Sequence, residues 1–153
     1  MVNAEIGSVA TGKIGELYVF SELLRRGATV FSPVADIRGI DAVVRKKDGT
    51  FLAVQVKTHS TEYMAEWFDV HDLDEHDANT FVVVGINMRQ YPPSEVWVVP
   101  AGVFIEYGTK SKRADGSSQY RLDLDARSRK HGNQLRRELL KDNYLNAWHI
   151  LTG

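Results

Sequence analysis

Cysteine is absent from the 153 residues. That removes disulfides and thiolate metal sites, and it fits a reducing compartment. Long apolar runs are absent as well. None approaches the ~20 residues that a bilayer-spanning helix needs, and Met1 to Gly12 lacks the basic-then-apolar order of a secretory signal. A soluble, cytoplasmic protein with no membrane partner is the expectation. No internal repeat, low-complexity tract or convincing linker interrupts the chain, and no Rossmann unit, P-loop or G-x-S-x-G motif is present. Those absences argue against nucleotide binding through a glycine loop and against serine hydrolysis.

What is there is 43% apolar and 25% charged, enough to bury one substantial core and too short for two ordinary domains. Residues 1–153 are therefore expected to form a single domain. The net charge of -1 conceals an asymmetry. Glu62 to Asp77 holds seven acidic residues and no Lys or Arg, whereas Lys110 to Lys141 holds ten basic residues against four acidic ones. A basic C-terminal extension over 109–153 suits a local phosphate-binding face, although a solvated helix face has the same composition.

Periodicity and breakers give the expected elements. Thr11 can cap a helix with Ile14, Leu17, Phe20 and Leu24 on one stripe, stopped by Arg25-Arg26-Gly27. Strands are expected over 28–34, 40–46, 50–58, 81–86, 95–99 and 120–124, with an irregular strand near Trp67 and Phe68. A short helix should follow Pro100 over 101–107, another should span 130–141 with Leu135, Leu139 and Leu140 inward, and 144–151 should pack back as a final element. Residues 108–118, rich in Lys, Gly and Ser, read as a mobile surface loop. This order implies an α/β or α+β fold, a central sheet with helices on its faces.

One stretch carries chemistry. Gly39-Ile40-Asp41-Ala42-Val43-Val44 is followed, across Asp48-Gly49, by Leu52-Ala53-Val54-Gln55-Val56-Lys57. Alternation sends Gln55 and Lys57 to one face of their strand and Leu52, Val54 and Val56 to the other. A two-residue turn would set Asp41 opposite Val56, on the wrong face. A three-residue turn, Lys47-Asp48-Gly49 with Gly49 left-handed, sets Asp41 opposite Gln55 and is the register expected.

At these residues the chain resembles the PD-(D/E)XK, or restriction-endonuclease-like, nucleases, in particular small resolvase-like and homing-endonuclease-like members. The resemblance covers Thr11 to Thr58, with later core strands at about 80–99. Glu16, within Gly12-Lys13-Ile14-Gly15-Glu16, looks like the acidic residue of the first helix, and Asp41 the family aspartate. Gln55-Val56-Lys57 stands where the (D/E)-x-K pair is usual, with an amide replacing the carboxylate as in some homing and resolvase-like branches.

The resemblance implies a Mg²⁺ (or Mn²⁺) dependent hydrolysis of phosphodiester bonds in DNA, branched or RNA-containing substrates included, by a homodimer. Asp41, the Gln55 side chain and the Val56 carbonyl would hold the metal, with Glu16 acting through a bound water or a second ion. Lys57 is ordinarily too basic to deprotonate water, so its role would be to orient the nucleophile and stabilise developing charge. Thr58, Lys13, Lys110, Lys112, Arg113, Arg129 and Lys130 are candidate nucleic-acid contacts.

Each residue also has a plainer reading: Asp41 as a turn cap, Lys57 as a snorkelling strand end, Glu16 as a solvent-facing helix residue, Asp36 as a loop carboxylate. Their order and spacing favour the site. His71 and His76, five apart, miss the helical pairing of a zinc site, so a solvated acidic loop is expected there. Trp97, Trp148, Tyr120 and Tyr144 fit core packing better than base stacking. Two rival functions stand beside the nuclease: a catalytically inactive nuclease-fold binding or regulatory module, and an interaction domain using the apolar 81–99 region.

Overall fold

The computed structural model describes residues 7–37, 39–59 and 67–153. In chain order the elements are α1 (Ser8–Arg25), β1 (Thr29–Phe31), β2 (Ala42–Arg45), β3 (Phe51–His59), β4 (Trp67–His71), a 3-10 turn (Glu75–Asp77), β5 (Phe81–Asn87), β6 (Val96–Pro100), α2 (Ala101–Tyr107), β7 (Thr109–Lys112), β8 (Ser118–Asp123), β9 (Arg127–Ser128), a second 3-10 turn (Arg129–His131), β10 (Gln134–Leu135), α3 (Arg136–Tyr144) and α4 (His149–Thr152).

A five-stranded mixed sheet in the order β1-β2-β3-β5-β6 forms the centre, flanked by helices, and β4-β8-β7 form a separate antiparallel sheet. Only β3 and β5 run parallel within the large sheet. Its middle is covered on both sides, which explains why β5 is a continuous apolar run rather than an alternating one. Val82, Val84 and Ile86 join Val19 and Leu23 of α1, Val54, Val56 and Trp148 in one cluster. Phe81 and Val83 join Phe68, Trp97, Phe104 and Leu122 in the other. Gly85 lies on this second side, where a Cβ would stand 2.6 Å from the Phe68 ring.

Several expectations are corrected. Helix α1 begins at Ser8 with Gly7 as its N-cap, so Thr11 is an interior residue and not a cap. Its buried stripe is Thr11, Gly15, Val19 and Leu23; Leu17 and Leu24 are 59% and 58% exposed. The small residues Thr11 and Gly15 narrow this helix face, which lets α1 lie close to the sheet. Residues 109–112 and 118–123 pair as a β-hairpin, so 108–118 is not a loop throughout. Helix α3 starts at Arg136, later than expected, with Leu140 buried. Strands β5 and β6 of the 81–99 region are almost wholly interior, while Gln90, Tyr91, Pro92 and Ser94 between them are exposed, so the apolar strands themselves offer no interaction surface. Trp97 and Trp148 are core residues, as expected.

The free side of β6 is closed by the C-terminal segment. Trp97 bridges to Leu145, the Asn146 N–H donates to the Val96 carbonyl at 2.6 Å, and the Val96 N–H donates to Asn146 Oδ1 at 3.0 Å. The acidic turn is likewise self-satisfied: Asp74 accepts the His76 N–H, and Asp77 accepts the Asp74 N–H. The acidic residues Glu62 and Glu66, and Tyr63, fall outside the described residues.

Candidate active site

The β2–β3 hairpin adopts the three-residue turn. Pairing runs from Arg45↔Phe51 to Ala42↔Val54, the Lys46 N–H donates to the Thr50 carbonyl at 2.8 Å, and Gly49 has φ +90. Continued by one step, this register sets Asp41 against Gln55. The backbone ladder stops there instead. Gly39, with φ +67, turns the incoming chain, and Asp41 is the first residue beyond the last paired rung.

Asp41 completes the edge with its side chain. Its N–H donates to the Val54 carbonyl at 2.8 Å, and its Oδ2 accepts the Val56 N–H at 2.7 Å. A carboxylate oxygen thus serves the amide that a further β2 carbonyl would have served. Strand β3 continues to His59 without β2 beside it, and α1 lies across this stretch.

That crossing positions Glu16. Thr58 shares its face with Val54 and Val56 and meets α1 at Gly15, where a Cβ would collide with its hydroxyl. The Thr58 Oγ1 is buried against α1 without a hydrogen-bond partner. The next residue along α1, Glu16, is held by Lys13 at 2.7 Å and lines one depression with Lys13, Asp36, Ile40 and Asp41.

The electrostatics record the same gathering. Burial pushes the Asp41 carboxyl above its usual value, against the Val56 N–H, which pulls it down; Glu16 and Asp36 add to the rise and the Lys57 ammonium opposes it. Lys13 is held above its usual value by its hydrogen bond to Glu16 and by the charges of Glu16 and Asp41. Glu16, Asp36 and Lys57 therefore each act on Asp41, and Asp36 lies in a loop beside the site.

Gln55 is placed next door. Its amide closes on Gly39, leaving no room for a side chain there, and it lines a second depression with Gly39, His71, Asp72 and Arg113. Nothing in the sequence could have linked Arg113 to Gln55, because they reach this depression from β3 and from the turn after β7. Lys110 and Lys112 are exposed on β7, and Arg129 and Lys130 are exposed in the second 3-10 turn. Elsewhere in the basic third, Arg121 is paired with Asp69 through two hydrogen bonds at 2.8 Å, and Arg137 meets Glu95 at 3.4 Å.

An oxygen donor set of this kind suits a hard divalent cation. The carboxylate of Asp41 is strained toward neutrality by burial and by Glu16, and positive charge would relieve both. Among the described residues no three His, Asp or Glu side chains are grouped to hold a metal, so neutral oxygens would have to complete the shell.

A mixed five-stranded sheet with a helix laid across its diverging β2–β3 pair defines a restriction-endonuclease-like fold. The sequence profile of the PD-(D/E)XK endonucleases matches residues 7–120, and the chain belongs to that family. A solved structure, that of the bacterial homing endonuclease I-Ssp6803I, is similar with a TM-score of 0.62 and 22% identity, covering 95% of this chain and 93% of that one. No curated protein matches the sequence.

Proposed function

We propose that this chain is a divalent-metal-dependent endonuclease acting on DNA. Family membership carries phosphodiester hydrolysis; DNA as substrate is supported by the similarity to a homing endonuclease. The observation that carries the assignment of residues is Asp41 fixed to the Val56 N–H at 2.7 Å while coupled electrostatically to both Glu16 and Lys57.

Asp41, with the Gln55 and Val56 oxygens, would hold Mg²⁺ or Mn²⁺, which when bound polarises the scissile phosphate and acidifies water. Lys57 stabilises charge developing on the phosphoryl oxygens. Glu16 accepts a hydrogen bond from the attacking water, and Lys13 keeps that carboxylate oriented. A homodimer belongs to the same proposal, because a chain this small covers little duplex.

The test is incubation of supercoiled, linear and branched DNA with Mg²⁺ or Mn²⁺, comparing wild type with Asp41→Ala and Lys57→Ala. Cleavage by wild type alone supports the reading; equal activity in all three overturns it. A second reading, a binding module without cleavage, is favoured by the neutral Gln55 and its separate depression. It is chosen if DNA binding weakens steeply with salt and no metal induces nicking.

A further inference from the structure

The wall of the Gln55 depression is built by an element almost sixty residues away. The β7–β8 hairpin ends in a tight tip where the Arg113 N–H donates to the Ser117 carbonyl at 2.8 Å and the Gly116 N–H to the Arg113 carbonyl at 3.0 Å. Asp115 Oδ1 accepts the Ser117 N–H at 2.9 Å. The tip is pinned to the end of β4 by Asp72, whose N–H donates to the Ser118 carbonyl at 3.0 Å and whose Oδ1 accepts the Ser118 N–H at 3.3 Å. Asp72 takes φ +56 to make this junction.

The backbone of Arg113 is thus set by the hairpin, and its side chain stands at the surface. That side chain is 43% exposed, and its ion pair with Asp115 spans 3.8 Å. Such a solvent-screened surface pair contributes little, so exchanging it for a phosphate costs little. Gln55 is uncharged, and Asp72 is occupied with the hairpin. A carboxylate at residue 55 would face Arg113 and neutralise it; the amide leaves the guanidinium available to an anion.

We propose that Arg113 is a positioning residue that binds a DNA phosphate next to the scissile one, above the Gln55 depression. This rests on the nuclease reading for the identity of the substrate strand. The arm then fixes the register of the DNA backbone over Asp41, while Asp41 and Lys57 act on the reacting phosphate.

The test measures binding of the full chain to a short duplex DNA without divalent metal, across a series of salt concentrations. Arg113→Ala and Arg113→Gln should each lower the slope of log affinity against log salt by about 1, and Arg113→Lys should restore it. A purely structural role would leave the slope unchanged. Unchanged slope and affinity in both neutral variants would overturn the proposal and leave Arg113 as a surface partner of Asp115. Nicking by wild type with Mg²⁺, scored in parallel against Asp41→Ala, separates the two ideas. If wild type binds but never nicks, the catalytic reading fails while the slope still decides Arg113; if wild type binds no DNA, both fail.

Discussion

A methyl group placed on Gly15 would lie 1.9 Å from the Thr58 hydroxyl oxygen, so α1 and β3 meet where only a hydrogen fits. Gly15→Ala should destabilise the protein by about 1–3 kcal/mol through overpacking, even though Ala gains about 1 kcal/mol over Gly in a helix. Thr58→Ala in the same chain should recover most of the loss. Denaturant titrations of the single and double variants check this, and additive effects would show that the two residues do not compete for the same space. Glu16 follows Gly15 directly, so the single variant should also cleave DNA more slowly.

Asp41→Asn should abolish cleavage without weakening the fold. The Asp41 carboxyl lies above its ordinary 3.8, so ionising it costs more in the folded chain than in the unfolded one. Its contribution to stability therefore falls as pH rises through its folded titration. The Asn side chain can still accept the Val56 N–H. Thermal unfolding followed over pH should show the variant melting at or above wild type near neutrality, with the difference closing in acid, once the pH has fallen below the ordinary carboxylate range and the wild-type carboxyl is protonated in both the folded and the unfolded chain. Adding Mg²⁺ should raise the melting temperature of wild type and not that of the variant.

Lys57→Ala should separate binding from chemistry. Single-turnover cleavage at saturating DNA is expected to fall about 10²- to 10³-fold, the scale of losing one donor that meets transition-state charge. Affinity for uncleaved DNA should change far less. An equal loss in both quantities would make Lys57 an ordinary phosphate contact.

Gln55→Glu sets two effects against each other. A second carboxylate near Asp41 should lower the Mg²⁺ concentration needed for half-maximal cleavage, if cleavage occurs. The same carboxylate would face Arg113 across their shared depression and weaken DNA binding at low salt. Metal titration and binding isotherms on one preparation read the two changes separately, and unchanged DNA binding would argue against contact between residues 55 and 113.

The hairpin was legible because its information is local. Asp48-Gly49 fixes the turn, and alternation along β3 leaves one register that puts Asp41 near Gln55. The seat of α1 was less legible: the buried stripe is set by what the helix lies against, and Gly15 and Thr11 carry no apolar signature. Asp36 lies in a loop, as its sequence context implies, and its place beside Asp41 follows from the path of residues 32–37, for which the sequence carries no signature. Gln55 and Arg113 line one depression only after β4, β8 and β7 have assembled, and no spacing rule spans that distance. Residues 108–118 looked like a loop because β7 has no buried side chain; its order comes from backbone pairing with β8.

The tail that covers β6 has a protective consequence. Residues Leu145 and Asn146 occupy the backbone groups of Val96 and Trp97 that would otherwise invite a stranger. A chain cut short before Leu145 would offer those groups to any extended polypeptide, including its own siblings, and precipitation during expression would be the visible symptom.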